Sequence, residues 1–149
     1  MKFNIKINET SVSSALKYIK KFLKNYKIIP IDKINIKKGS EAYESIYGLC
    51  YYPYKNVGYR LSLFVPSIYP NRVITKGPEL KGLKKCYTKL ANINEALIFI
   101  AFHELYHYLS HSNQILGQNI EPKADAFADK HLIKYRKSLI KNNKFKNLE

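Results

Sequence analysis

All four histidines of this 149-residue chain, His103, His107, His111 and His131, stand between positions 103 and 131, with Glu104, Glu121, Asp125 and Asp129 among them. Imidazoles and carboxylates are the side chains that ligate divalent cations and exchange protons near neutrality. Within this stretch His103-Glu104-Leu105-Tyr106-His107 forms an H-E-x-x-H pattern. At 3.6 residues per turn, positions i and i+4 lie about 40° apart on one helical face, so both imidazoles reach a single cation. Glu104 follows the first imidazole, and its reach suits a water activated by that cation rather than the cation itself. It is therefore the candidate general base.

A hydrolytic zinc site takes three protein ligands and leaves a fourth position open. Glu121 is the candidate third ligand: the polar segment after His107, with Ser112, Asn113, Gly117 and Asn119, is long enough to turn a second helix back antiparallel. Asp125, four residues further on, shares a helical face with Glu121 and is placed to accept a hydrogen bond from a ligand imidazole, fixing its tautomer. His111 lies on the face of His103 and His107 but about 12 Å from His103 along the axis, too far for one ion. The longer H-E-x-x-H-x-x-G-x-x-H pattern is absent, because Ser110 and Asn113 occupy its last two defining positions. His131 falls off the Glu121/Asp125 face and reads as a core or surface histidine.

The elements that must carry these residues follow from periodicity. Asn92 or Asn94 can cap a helix whose Ala96–Phe102 start is apolar all round and hence buried on most sides. Gly117 closes that helix or the loop after it, and Glu121-Pro122 opens a last helix continued by Ala124, Phe127, Ala128, Leu132, Tyr135 and Leu139. Residues 141–149 are polar and basic and read as a frayed tail. Upstream, a strand is expected over 2–8, and then a helix capped by Thr10 or Ser11, with Val12, Ala15, Leu16, Ile19, Leu23 and Tyr26 on one stripe and lysines opposite. A short strand over 34–37 precedes a hairpin of 45–52 and 59–65 around Pro53–Gly58. Residues 59–65 are the candidate exposed edge on which an extended peptide would lie. The Pro- and Gly-rich stretch 66–92 reads as a long loop, with a short helix near 84–91 and lysines at 76, 81, 84, 85 and 89 suited to an acidic partner. No repeat or second domain is visible, so 1–149 is expected to form one domain.

The run His103-Glu104-Leu105-Tyr106-His107-Tyr108-Leu109-Ser110-His111, followed by Glu121-Pro122-Lys123-Ala124-Asp125-Ala126-Phe127-Ala128, resembles the ImmA/IrrE family of zinc metallopeptidases, whose pattern is H-E-L-x-H-x-L-x-H and then E-x-x-A-[N/D]-x-F-A. The likeness spans roughly residues 92–132. It implies His103, His107 and Glu121 as zinc ligands, Glu104 as catalytic base, and a protein substrate such as the DNA-binding repressor of a mobile element or stress regulon. It also agrees with an α/β (α+β) domain: an N-terminal helix, a short mixed or antiparallel sheet, a buried H-E-x-x-H helix and a C-terminal helix bearing the glutamate. Tyr106 stands where the family usually has a small residue, the Arg-Phe pair ahead of the metal helix is missing, and no Leu-Met-Pro segment follows.

Composition narrows the remaining classes. The longest unbroken apolar run, Ala96–Phe102, is too short to cross a bilayer, and the alternating start lacks the apolar block of a secretory signal, so a cytoplasmic protein without a membrane partner is expected. Cys50 and Cys86 suggest neither a disulfide framework nor a thiolate metal site, and read as reduced bystanders. The net charge of +15 is nearly all Lys, in a chain also rich in Ile, Asn and Tyr, and no nucleic-acid-binding motif accompanies it. Two alternatives to a peptidase stay open at this level: a non-catalytic zinc-fold module that grips a regulatory protein, and a basic nucleic-acid-binding protein.

Overall fold

A computed structural model describes residues 1–25, 31–39, 47–75 and 86–146. In chain order they form β1 (Lys2–Ile5), a 3-10 turn (Thr10–Val12), α1 (Ser13–Leu23), β2 (Ile31–Lys38), β3 (Tyr47–Tyr51), β4 (Tyr59–Val65), β5 (Asn71–Thr75), β6 (Cys86–Leu90), α2 (Ile93–His111) and α3 (Glu121–Lys146). The architecture is mixed α/β. Four strands make one sheet in the order β1-β2-β4-β3, with β1, β2 and β4 parallel and β3 antiparallel to β4, and β5 pairs antiparallel with β6.

The position of each strand follows its side-chain pattern. In β4 Tyr59, Leu61, Ser62, Leu63 and Val65 are all buried, the near-continuous signature of a strand flanked on both sides. In β3 burial alternates, with Tyr47, Leu49 and Tyr51 outward and Gly48 and Cys50 inward. This overturns the expectation that residues 59–65 form the edge: β4 lies between β2 and β3, and β3, like β1 at the other end, is an edge strand. The stretch 66–92 is also not simply loop. Where a short helix was expected over 84–91, residues 86–90 are a strand, because Leu90 buries fully while Tyr87 and Lys89 face out, a period of two that a helix cannot satisfy. Residues 76–85, which include four of the five loop lysines, lie outside the described residues.

α2 is the central element. It packs on β3 and β4 on one side and on α1 and α3 on the other, which is why Ala96 to Phe102 are buried all round the helix. Its N-terminus is capped by Asn92, whose side chain accepts from the Glu95 backbone N–H at 3.1 Å. Glu95 in turn accepts from the Ala91 N–H and pairs with Arg136 of α3 at 2.6 Å. The Arg136 hydrogen bond holds the Glu95 carboxyl below its ordinary range, with the Ala91 N–H helping against the opposing effect of burial. α2 ends at His111, and the left-handed Asn113 (φ 56°) with a Gln114 N–H to Leu109 carbonyl bond of 2.9 Å closes it, so Gly117 falls in the loop after the helix, the second of its two expected places.

At the other termini local details differ from expectation. α1 has no side-chain cap from Thr10 or Ser11. Instead the Asn8 side chain accepts from the Thr10 N–H at 3.0 Å and starts a 3-10 turn. Its buried stripe is as expected as far as the described residues reach, with Val12, Ala15, Leu16 and Ile19 inward and Lys17, Lys20, Lys21 and Lys24 exposed; Tyr26 lies outside them. α3 runs on to Lys146, so the tail does not fray at 141: no Gly or Pro follows Pro122, and nothing in the sequence stops the helix. Among the described residues no helix is long and apolar enough to cross a membrane.

Candidate metal centre

His103 and His107 lie one turn apart on the buried helix α2, and Glu121 is the first residue of α3, which returns alongside it. The two Nε2 atoms are 3.2 Å apart, and the Glu121 carboxylate offers Oε2 to His103 Nε2 at 3.1 Å and Oε1 to His107 Nε2 at 3.3 Å. These separations admit a direct test. Four ligands placed tetrahedrally at 2.0–2.1 Å from an ion stand about 3.3 Å from one another. The three side chains thus span one face of such a tetrahedron, and their donor set of two nitrogens and an oxygen could hold a divalent ion.

Both imidazoles are oriented through their other nitrogen. His103 Nδ1 is 3.0 Å from Asp125 Oδ1, and His107 Nδ1 is 2.6 Å from Asn119 Oδ1. With Nδ1 donating in each case, both Nε2 lone pairs face the common centre. Burial disfavours a charged His103, but the Asp125 hydrogen bond and the carboxylates of Glu104, Asp125 and Glu121 outweigh it and raise its pKa. Asp125 therefore stands where spacing put it, against a ligand imidazole. Asn119 was not anticipated. It sits in the loop between the helices, and only the fold of that loop, held by Tyr106 Oη donating to the Gln118 carbonyl at 2.8 Å and Ser110 Oγ to the Gly117 carbonyl at 3.2 Å, brings it onto His107. Its own amide donates to Tyr52 Oη at 2.8 Å, tying the loop to the end of β3.

Glu104 points the other way from α2's helical neighbours, against the edge strand. It is 5% exposed and accepts a hydrogen bond from the Cys50 backbone N–H. A Cβ on Gly48 would stand 2.5 Å from Glu104 Cγ, so only glycine leaves room for this carboxylate beneath β3. A glycine interrupting a strand pattern was the one sequence signal for that contact. Burial, reinforced by Glu121 and opposed by His103 and the Cys50 N–H, lifts the Glu104 pKa to about 7, where a carboxylate both takes and gives protons at neutral pH. Cys50 lines the same cleft as a free thiol, in keeping with its reading as a reduced bystander. Burial, with Glu104 adding, pushes its thiol up to about 12, so it stays protonated and inert as a nucleophile. The side chain of Cys86 lies outside the described residues.

The cleft that joins these groups encloses about 420 Å³ between β3, Tyr52 and Val73 on one wall and α2 with Glu121 and Asp125 on the other. Glu121 is half exposed, so the cleft opens to solvent at its ligand end. Comparison of the chain with family models, with curated proteins and with solved structures finds no match. The two other histidines stay out of the cluster. His111 Nδ1 is 2.6 Å from Tyr59 Oη and its ring stacks on Tyr52 at 3.9 Å. His131 is buried and stacks on Phe102 at 3.9 Å, and burial, followed by the charges of Lys134 and Lys130, lowers its pKa to about 4. Asp129 accepts from Thr88 Oγ1 at 2.7 Å and fastens β6 to α3.

Proposed function

We propose that this chain is a zinc-dependent peptidase that hydrolyses a peptide bond in an extended segment of a protein substrate. The observation that carries the reading is the convergence of His103, His107 and Glu121 at tetrahedral spacing beside a buried carboxylate that is not itself part of the ligand triangle. Zinc held by these three residues would polarise a scissile carbonyl and make water acidic enough to lose a proton near neutrality. Glu104 takes that proton, and after the C–N bond breaks it returns the proton to the departing amine. Tyr52 lines the cleft and accepts from Asn119, so its own hydroxyl hydrogen is available to a carbonyl oxygen, whereas the Tyr106 hydroxyl donates to the Gln118 carbonyl.

The placement of β3 supports an extended substrate. It is paired to β4 on one side, and its other side borders the cleft, so backbone hydrogen bonds from an added strand would lay a peptide across Glu104 without reading its sequence. A DNA-binding repressor is the substrate class suggested by the motif's resemblance to ImmA/IrrE proteins.

Elemental analysis and a cleavage assay on a denatured-protein or peptide-library substrate test the proposal together. The parent chain is expected to carry about one zinc, lost in His103→Ala and Glu121→Ala, whereas Glu104→Gln keeps the metal and loses turnover by at least about 100-fold. A protein that binds no zinc, or whose cleavage survives Glu104→Gln, is not this enzyme.

A further inference from the structure

Opposite α2, the four-stranded sheet presents a second face whose composition is set by register. Lys2, Lys33 and Arg60 stand abreast on β1, β2 and β4, and the row ends at Tyr51 on β3. Four residues along, Lys37 and Phe64 stand abreast and the row ends at Tyr47. Between them runs an uncharged row in which Asn4 donates to Asn35 at 3.0 Å and Asn35 to Ser62 at 3.4 Å. The cations and rings alternate in contact: the Arg60 guanidinium lies 5.2 Å from the Tyr51 ring centre, Lys37 Nζ lies 5.9 Å from that of Phe64, and Tyr47 stacks parallel on Phe64 at 4.3 Å. Tyr47 and Tyr51 keep 36% and 41% of their surface exposed. Asp32 is the one carboxylate in these four strands, and it is engaged at the start of β2 by the Gly58 N–H at 2.7 Å.

We infer that this face binds single-stranded nucleic acid. Four cations without a neighbouring free carboxylate among the described residues would attract any polyanion, but the interleaved rings are selective. Bases of a single strand are free to stack on Tyr47 and Tyr51 while the phosphates between them meet Lys33, Lys37 and Arg60. A duplex keeps its bases stacked inside and has no use for the rings, and among the described residues no helix projects from this face to enter a groove. An acidic peptide would engage the cations alone. The inference stands on the sheet's outer face and does not depend on the metal reading of the cleft, although β3 borders both.

Fluorescence anisotropy of the full chain with a labelled oligo-dT of about 12 nucleotides tests it. The triple variant Lys33→Gln/Lys37→Gln/Arg60→Gln is expected to bind at least about tenfold more weakly, with the slope of log affinity against log salt reduced by about 2. Tyr51→Ala is expected to lose about tenfold, and Tyr51→Phe to retain binding, because stacking needs the ring and not the hydroxyl. The control for bulk charge is Lys17→Gln/Lys21→Gln/Lys24→Gln on exposed positions of α1. Unchanged circular dichroism checks that each variant folds, and Lys37→Gln alone replaces the triple if that variant does not. The inference is overturned if the α1 triple weakens binding as much, if Tyr51→Ala binds like the parent, or if a duplex of equal length or polyglutamate competes as well as the single strand.

Discussion

At the scale of single residues, the proposed metal centre would depend on groups outside the His103, His107 and Glu121 triangle. A ligand imidazole free to rotate or change tautomer offers its lone pair only part of the time, so the partner on Nδ1 contributes to affinity through orientation. For His103 that partner is Asp125 and for His107 it is Asn119. Asn119→Ala is therefore expected to weaken zinc binding by about 10–100-fold, and Asn119→Asp to restore it, measured by competition with a chromophoric chelator. A purely structural role for Asn119 would instead lower the melting temperature of the metal-free protein and leave affinity unchanged. The two partners differ in how readable they were. Asp125 could be anticipated because it sits four residues after Glu121 on a regular helix, where spacing defines direction. Asn119 could not, because a loop residue has no fixed direction until its backbone is folded.

At the scale of elements, α2 and α3 are joined by more than the metal ligands. His131 of α3 inserts against Phe102 of α2, with Phe22 of α1 closing edge-on at 4.9 Å, and this apolar setting keeps the imidazole neutral. In the unfolded chain it would take up a proton at about pH 6.5, whereas in the fold its pKa is about 4. Between those values the unfolded state binds more protons, so stability falls as pH drops through this window and the contribution is complete above it. In urea unfolding at about pH 7 and about pH 5, the parent is expected to lose up to about 2 kcal/mol more than His131→Phe, which keeps the stacked ring without the titrating nitrogen, while the opposing contribution of Glu104 is common to both proteins. An equal pH dependence in both proteins would locate the sensitivity elsewhere.

At the scale of the whole molecule, the three candidate ligands come from two helices whose connection is a loop of polar residues, so an ion bound there would cross-link α2 and α3. Such an ion would bind the folded chain and find no comparable site in the unfolded one. With zinc at about 100 times its dissociation constant, the added stability is about 2.7 kcal/mol, or a rise in melting temperature of about 5–10 °C for a chain of this size. Chelation is expected to reverse the rise, and His103→Ala to abolish it, in a thermal scan with and without metal. The same scale explains the molecule's two-sidedness: α2 covers one face of the main sheet and builds the cleft, while on the other face Lys2, Arg60, Tyr47 and Tyr51 are exposed and Lys33, Lys37 and Phe64 half-buried.

What the chain order determined was local. The i, i+4 spacing of His103 and His107, the Asn92 cap, the apolar girth of α2 and the Glu121-Pro122 start of α3 are each set by residues within a few positions of one another, and helix geometry turns such spacing directly into direction. Strand partnership was decided only by the tertiary structure. Residues 59–65 look alike in sequence whether they lie at an edge or inside a sheet, and β6 becomes a strand only because residues 71–75 are there to complete its hydrogen bonds. Gly48 over Glu104, Asn119 on His107 and the rows of cations and rings on the outer face all depend on contacts between segments far apart in the chain. No periodicity within one segment can specify those, because each strand or loop acquires its neighbours from the packing of the rest.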